Sequence, residues 1–454
     1  MPTNTPCGPK LYALVDYEDP YVQPLILAAL KNKLPQDSYQ LIKSLNSLPS
    51  PKSPILHFQQ YESLDFDHHV SNTSTSLCNS YVIRKALIRK HYLSTTVSNW
   101  ITKHPDSVLA KGVKPSVEFE VDYAEFLDDA LVEAWELKES WERGEGKGKE
   151  EREWWILKPG MSERGQGIRL FSNEDELVGI FEGWDPEEDE DEDDEVRSDA
   201  ENDSDQANHE EKNEGNGIVT SLLRHFIAQP YIHPPLLLPP PSSDPSDQAT
   251  FRKFHIRTYV LAVGALKVYV YKDMLALFAT KSYSPPWESS NDEEDLKAHL
   301  TNTCLQETNE REGSVGLFWE LPETLPSQPA LSTRQLLRWK DAVFGEILAL
   351  TGTIFEAASR SMSIHFQPLP NSFEIFGLDF MVGIGENGKL DTYLLEVNAF
   401  PDFRQTGDEL KGLIEGLFEG VVDVAINPFF FEEREEKKEE EKMVRVLDID
   451  LGRR

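Results

Sequence analysis

Apolar and polar residues recur along this chain with two different periods, and the period changes at identifiable breaks. Leu11–Val15 is a short apolar run that reads as a buried strand, and Val22–Lys33 reads as a helix. Ser80–Tyr92 is basic and predicted helical. Over Tyr123–Trp141, the residues Tyr123, Phe126, Leu127, Ala130, Leu131, Ala134, Leu137 and Trp141 recur at i, i+3 and i+4, which predicts one amphipathic helix. Trp154–Lys158 and Gly167–Phe171 read as paired strands with a glycine-bearing loop between them, and Phe226–Ile232 as another strand. Arg252–Val263 and Leu266–Phe278, rich in Val, Tyr and Leu, predict a long hairpin. Thr333–Ser359 reads as a long helix, Phe373–Val382 with Thr392–Val397 as a second hairpin, and Thr406–Val424 as a closing helix. Strands and helices mixed with antiparallel hairpins predict an α/β or mixed α+β fold of the kind enzymes use.

The breaks divide the chain. Residues 185–214 hold 17 acids and 2 bases, a net charge of −15. Such a run cannot bury apolar area, so it is expected to be a solvated, disordered insertion. In Pro234–Thr250 the prolines forbid helix and ladder pairing. The Lys/Glu-rich stretch after Phe431 is a third polar segment, although Val444–Leu451 has the apolar content to pack. The resulting division is an N-terminal α/β subdomain over 1–79 and a central subdomain over 80–232 that carries the insertion 185–216. A third subdomain over 233–431 and a charged tail over 432–454 complete it.

Composition narrows the function classes. With 39% apolar and 28% charged residues, 454 residues suffice for two or three packed subdomains. The net charge of −35 excludes a global basic footprint, so direct nucleic-acid binding is not expected. Cys7, Cys78 and Cys304 show no CxxC or Cys/His spacing, which excludes a disulfide scaffold and a zinc ribbon and fits a reducing compartment. No uninterrupted apolar run reaches the roughly 20 residues that span a bilayer, and Met1–Lys10 lacks an apolar signal core. The expectation is a cytosolic or nuclear protein without a membrane partner.

Four stretches carry candidate chemistry. In the last hairpin, Glu396 and Asn398 lie at i and i+2 of one strand, so they project together, and Asp379 sits on the partner strand. Three oxygen-bearing side chains on one face suit a hard cation such as Mg²⁺; a solvated face of an amphipathic hairpin explains the pattern equally well. In Arg252-Lys-Phe-His-Ile-Arg257, the residues Lys253, His255 and Arg257 share one strand face and repel one another unless an anion, such as a triphosphate, lies over them. Taken alone, a solvated basic edge is the better reading. Lys158 ends an apolar strand before a loop containing Gly160, Gly165 and Gly167. That is one way to hold phosphates, though not a Walker A loop, whose lysine follows the glycines. A plain turn accounts for the glycines too. Finally, Phe226-Ile-Ala-Gln229-Pro-Tyr231-Ile232 runs from an apolar strand into an irregular segment that can offer backbone groups to an adenine ring, or is an ordinary strand end.

In this order the stretches resemble the tubulin-tyrosine ligase family, ATP-grasp carboxylate–amine ligases. The matching segments are WWILKPGMSERGQGI, FIAQPYIHPPLLL, RKFHIRTYVL, HLTN at His299–Asn302, FEIFGLDFMV and LLEVNAFP. The resemblance covers about Ser80 to Val424 and extends to a fungal branch linked with mRNA processing bodies. It implies an ATP-grasp fold of the tubulin-tyrosine ligase type, with ATP and Mg²⁺ as cofactors. Lys158, and by a looser match Lys85, would bind nucleotide phosphates. Gln229, Tyr231 and Ile232 would lie at the adenine hinge, and Thr301 and Asn302 would form a polar pair at the nucleotide. Lys253 and Arg257 would reach the phosphates and the reacting carboxylate, with His255 beside them, and Asp379, Glu396 and Asn398 would ligate Mg²⁺. The implied reaction activates a protein carboxylate as an acyl phosphate and joins it to the amine of a free amino acid. Tubulin is the family's default acceptor, and the implied location is the cytoplasm. No nucleophilic side chain is needed, and a protein kinase is disfavoured because Asp379-Phe380 is followed by Met381 rather than Gly.

Two positions depart from the family pattern. His255 stands where an Asp is usual, and Leu277 where the return strand commonly carries an arginine near the triphosphate. Losing one preorganised donor costs about 10²–10³ in rate, and Lys281 is expected on the same strand face, four residues on. A local basic surface at Arg84, Lys85, Arg89, Lys90 and Lys103 offers attraction to an acidic tubulin tail, and the solvated face of a helix explains it at least as well. Without the insertion the net charge is still −20. The departures, the acidic insertion and the fungal resemblance give a second expectation, a nucleotide-binding interaction module in an mRNA-decay assembly. A third is a small-molecule peptide ligase.

Overall fold

The computed structural model describes residues 10–160, 167–184, 224–241, 250–301, 314–326, 328, 330–331, 338–431 and 442–452. The acidic insertion, residues 161–166, residues 242–249 of the proline-rich stretch and Asn302 lie outside them. The chain forms two compact units, Met1–Pro115 with Ile232–Arg454, and Ser116–Tyr231.

The first unit opens with a parallel sheet in the order β2-β1-β3-β4, built from β1 (Leu11–Asp16), β2 (Tyr39–Ile42), β3 (Ile55–Gln59) and β4 (Ser76–Cys78). The helix α1 (Val22–Lys33) follows β1 and buries Val22, Leu25, Ile26, Ala29 and Leu30. The helix expected over Ser80–Tyr92 forms as two pieces, Lys85–Ile88 and α2 (Lys90–Lys103), parted by the extended backbone of Arg89.

The second unit is an antiparallel sheet in the order β5-β8-β6-β7, from β5 (Val117–Glu120), β6 (Trp155–Pro159), β7 (Arg169–Phe171) and β8 (His225–Pro230). The helices α3 (Trp135–Gly144) and α4 (Glu174–Glu182) contribute Leu137, Leu177 and Phe181 to its core. Asn173 caps α4, its side chain accepting from the Glu176 backbone N–H at 2.8 Å, while Glu176 accepts from the Ser172 N–H. The single helix expected over Tyr123–Trp141 is instead a 3-10 turn (Ala124–Phe126), one helical turn (Leu127–Ala130) and α3. Leu127, Leu131, Ala134 and Leu137 are buried as the periodicity requires, and Tyr123 and Phe126 are not.

The rest of the first unit is an eight-stranded sheet. Its strands are β9 (Leu237–Leu238), β10 (Arg252–Val263), β11 (Lys267–Tyr271), β12 (Leu275–Phe278), β13 (Val315–Leu317), β14 (Phe373–Ile384), β15 (Leu390–Ala399) and β16 (Met443–Asp448). The long strand β10 is its spine. One edge pairs with β14, and the other with β12 near its start and with β11 near its end. The expected single return strand is thus split in two, because β12 and β11 each find a further neighbour, β13 and β16.

Alternation gives the spine two faces. Phe254, Ile256, Val260 and Ala262 share a core with α5 (Trp339–Ser361) and with Phe376, Leu378 and Phe380 of β14. α5 is long and apolar enough to cross a membrane by length and composition; here Trp339, Val343, Ile347, Leu350 and Ile354 are buried, as in the central helix of a packed core. On the opposite face, Tyr259, Leu261, Phe373 and Ile375 share a second core with Leu11, Ala13, Leu56 and Phe58 of the N-terminal sheet. The helix α6 (Lys411–Val421) closes that core with Ile414, Leu417 and Phe418. This shared core corrects the expected subdomain boundary at 79/80: the N-terminal sheet packs as part of the first unit, and the second unit begins at Ser116.

Candidate active site

Three basic residues of β10, Lys253, His255 and Arg257, lie on the face that carries this second core. Toward the strand's end the face is apolar and covered; toward its start it carries Lys253, His255 and Arg257, each 5% exposed or less. Burying three basic side chains side by side requires compensation. The antiparallel register supplies it. Arg257 stands opposite Asp379, and Asp379 opposite Glu396, so the three form one row across β10, β14 and β15. A bulge follows Asp379 on β14, and Asn398 stands opposite Gly377. The convergence of Asp379, Glu396 and Asn398 read from strand alternation is therefore present.

Within the row, Arg257 Nε and Nη2 donate to the two oxygens of Asp379 at 2.5 and 2.9 Å, and Nη1 donates to Gln405 Oε1 at 3.2 Å. Asn398 Nδ2 donates to Glu396 Oε1 at 3.0 Å and to Asp379 Oδ2 at 3.4 Å. Burial pushes the Asp379 carboxyl up to about 7; Arg257 pulls it down, and the Glu396 carboxylate beside it pushes it up again. Arg257 itself is held cationic, its pairing with Asp379 outweighing burial. Arg257 thus faces Asp379, with Glu396 on the far side of it. The oxygen chemistry of two carboxylates and an amide fits a hard divalent cation. Among the described residues no group of three or more His, Cys, Asp or Glu side chains is arranged to hold a metal by itself. A cation here would share Asp379 with Arg257 and take further oxygens from a phosphate-bearing ligand.

His255 Nδ1 lies 2.6 Å from Thr301 Oγ1, and Nε2 lies 3.6 Å from Asp379 Oδ1 without a hydrogen bond. Burial first, then Arg257 and Lys253, lower its pKa to about 3, so the ring is neutral. Leu277 stands opposite His255, 1% exposed and inside the apolar cluster of Tyr259 and Leu275. Lys281, expected on the same strand face, lies beyond the end of β12 and pairs with Glu294 at 2.5 Å, so it does not replace the missing cation.

Lys158, Gln229 and Tyr231 belong to the second unit. Lys158 Nζ donates to Gln229 Oε1 at 3.0 Å across the β6–β8 pair, and the Tyr231 N–H donates to the Trp154 carbonyl at 2.8 Å. Gly167 has φ +73°, a left-handed conformation that favours glycine. The boundary between the units falls between Tyr231 and Ile232; Ile232 lies beside Gly383 of β14. Lys85 is exposed at the start of its short helix, and its side chain makes no hydrogen bond or ion pair among the described residues. Its neighbour Arg84 is buried, with Nε 2.8 Å from Glu374 Oε1 and its guanidinium 3.8 Å from the Tyr61 ring centroid.

Three contributors were not singled out from the sequence. Gln405 takes the outer nitrogen of Arg257 and lies on a 3-10 turn with no pattern of its own. Gly377 leaves room for the arginine, since a Cβ there would come within 2.8 Å of Pro401 and 3.4 Å of Arg257 Cδ. Glu374, the partner of Arg84, was legible as an acid inside the apolar run FEIFGLDF.

The sequence profile of the tubulin-tyrosine ligase family matches residues 70–434. The chain belongs to that family. It is 44% identical over 426 residues to a probable tubulin–tyrosine ligase of Schizosaccharomyces pombe, covering 93% of this chain and 92% of that protein. It is 39% identical over 422 residues to the probable tubulin–tyrosine ligase PBY1 of Saccharomyces cerevisiae, covering 91% of this chain but only 51% of that longer protein. The fold matches the crystal structure of the C-terminal domain of K. lactis Pby1, with a TM-score of 0.66 and 35% identity over 97% of this chain and 99% of that one. That neighbour is an ATP-grasp enzyme that interacts with the mRNA decapping enzyme Dcp2. This family member therefore has the ATP-grasp fold, in agreement with the expectation from its motifs.

Proposed function

We propose that the chain is an ATP- and Mg²⁺-dependent carboxylate–amine ligase that adds a free amino acid to a protein acceptor, with tubulin as the family's default, releasing ADP and phosphate. The observation that carries this reading is the row of buried Arg257 and Asp379 and half-buried Glu396, with Asn398 beside it. A buried arginine and two carboxylates beside Lys253 and the neutral His255 offer donors to a polyanion and oxygens to a cation.

In this reading Asp379, Glu396 and Asn398 hold the magnesium, which when bound offsets the repulsion between carboxylate and phosphate. Lys253 and Lys158 bind phosphate oxygens, and Gln229, Tyr231 and Ile232 border the adenine. Lys85 binds a phosphate oxygen as well. Arg257, fixed by both Asp379 oxygens, presents a cation that cannot lose its proton to the charge developing on the reacting carboxylate. His255 is neutral, so it hydrogen-bonds the nucleotide without adding charge, and Thr301 on Nδ1 sets its orientation. Asn302 completes the nucleotide pair with Thr301.

The test is ATP binding by calorimetry and labelled amino-acid incorporation, each with and without Mg²⁺, in wild type and in Glu396→Gln. Mg²⁺-dependent binding and incorporation that both collapse in the variant support the proposal. Equal signals in both proteins refute the metal site.

A second reading is favoured by Leu277, which leaves the return strand without its arginine, and by the decapping-enzyme interaction of the K. lactis neighbour. In it the chain is a cytoplasmic ATP-binding module of an mRNA-decay assembly. Tight Mg–ATP binding with no amide product on tubulin or peptide acceptors would favour it, and incorporation of a labelled amino acid would exclude it.

A further inference from the structure

The apolar pattern of residues 123–135 is only partly absorbed by the fold. Leu127, Leu131 and Ala134 enter the core of the second unit. Four larger side chains do not: Tyr123 is 52% exposed, Phe126 48%, Val132 55% and Trp135 66%. The Tyr123 and Phe126 rings meet edge to face, with centroids 6.2 Å apart. These are half of the eight large apolar residues left exposed among the described residues, gathered within 13 positions. Aromatic side chains exposed together mark binding surfaces, and Trp and Tyr are the residues that carry binding energy there.

The charges around them identify the kind of partner. Glu125, Asp128, Asp129, Glu133 and Glu136 are all exposed and interleaved with the apolar positions, and among the described residues none makes an ion pair. Lys138 is the only base in residues 122–139, against seven acids. We propose that this surface docks a basic amphipathic peptide segment, one whose apolar residues recur at i, i+3 and i+4 and whose remaining positions are Lys or Arg. The apolar groups seat on Trp135, Val132, Phe126 and Tyr123, and the cations pair with the surrounding carboxylates. Nucleic acid is excluded by the sign of the charge, and the chain's own insertion, with net −15, has the same sign as the surface it would have to cover.

The test uses the full chain and a fluorescein-labelled 16-residue Leu/Lys peptide with leucines at i, i+3 and i+4, read by fluorescence anisotropy. Two control peptides separate the contributions: Ser for Leu at unchanged charge, and Glu for Lys at unchanged apolar spacing. The expected result is saturable binding of the Leu/Lys peptide and at least about tenfold weaker binding of both controls. Phe126→Ser with Trp135→Ala should weaken it by about tenfold or more. Where that pair alters the thermal melt, Glu133→Lys with Glu136→Lys, confined to exposed groups, decides instead and should weaken the peptide comparably. Any one of four results overturns the proposal: no binding, equal binding of the Ser/Lys peptide, equal binding of the Leu/Glu peptide, or unchanged affinity in the deciding variant. A concentration-dependent dimer that these substitutions abolish, with no peptide binding, would assign the surface to a second copy of the chain and overturn it as well.

Discussion

Arg257 and Asp379 stand opposite each other on neighbouring antiparallel strands, joined by two parallel hydrogen bonds of 2.5 and 2.9 Å with both residues 5% exposed or less. Removing one member leaves the other charge buried and alone, which costs about 3–5 kcal/mol. Arg257→Ala should therefore lose most of the stability of the first unit. Arg257→Lys keeps a charge but loses the planar fork, and should cost less while still weakening ATP binding. Urea unfolding and calorimetry on both variants check this. An Arg257→Ala protein that unfolds at the wild-type midpoint would show that the pair carries no structural weight.

Glu396 acts in the opposite direction. Its carboxylate lies beside Asp379 and helps hold that carboxyl up near 7, after burial itself. Glu396→Gln removes the like charge but keeps the shape, so without metal the fold should be as stable as wild type or slightly more so. Mg²⁺-dependent ATP binding should fall by at least about tenfold, since an amide neutral in charge replaces an anionic ligand. The signature is this separation of stability from cation response. A variant that loses stability and leaves the Mg²⁺ dependence intact would place the cation elsewhere.

The shared strand faces were legible because a period of two leaves little freedom. Lys253, His255 and Arg257 had to share one face, and Glu396 had to accompany Asn398. The shared core of the N-terminal sheet was not legible, since Leu11, Ala13, Leu56 and Phe58 announce a buried strand face without saying what covers it. The break in the Tyr123–Trp141 helix was hidden for a related reason. Its buried positions keep helical spacing, while Val132 and Trp135 lie off that stripe and had no expected partner. Arg84 was hidden behind Lys85, because in a basic run nothing local says which cation turns inward to Glu374.

Leu277 faces His255 across β10 and β12, in an apolar cluster with Lys253 and Arg257 on the neighbouring strand. Leu277→Arg would bring a third strong cation into an apolar cluster, with His255 and Val315 and no carboxylate opposite it on the neighbouring strands. Without ligand the variant should lose about 2 kcal/mol or more. Mg–ATP should restore part of that loss, giving a larger ligand-induced rise in melting temperature than in wild type, because the triphosphate supplies the missing counter-charge. Scanning fluorimetry with and without Mg–ATP measures both. A ligand-free melting temperature equal to that of wild type would mean the position tolerates charge, and that Leu277 does not report on the nucleotide.

In the N-terminal sheet, His57 of β3 is 1% exposed and neither ring nitrogen makes a hydrogen bond. Burial, then the neighbouring His68 and His69, lower its pKa to about 4, and burial with His68 lowers His69 to about 4 as well. Both folded values lie below the ordinary 6.5 of an unfolded imidazole, so between about pH 6.5 and 4 the unfolded chain binds protons that the native state refuses. Stability is complete above pH 6.5 and is lost as the pH falls through that window. The loss is about 1.4 kcal/mol per pH unit for each ring. His57→Leu removes one such group and leaves no partner unsatisfied, so unfolding at pH 7.5 should be unchanged or slightly harder. At pH 5 the variant should retain about 2 kcal/mol more than wild type, the share of one imidazole carried from 6.5 to 5. Urea unfolding at the two pH values measures the difference directly. Parallel acid losses in the two proteins would show that His57 protonates freely in the folded state.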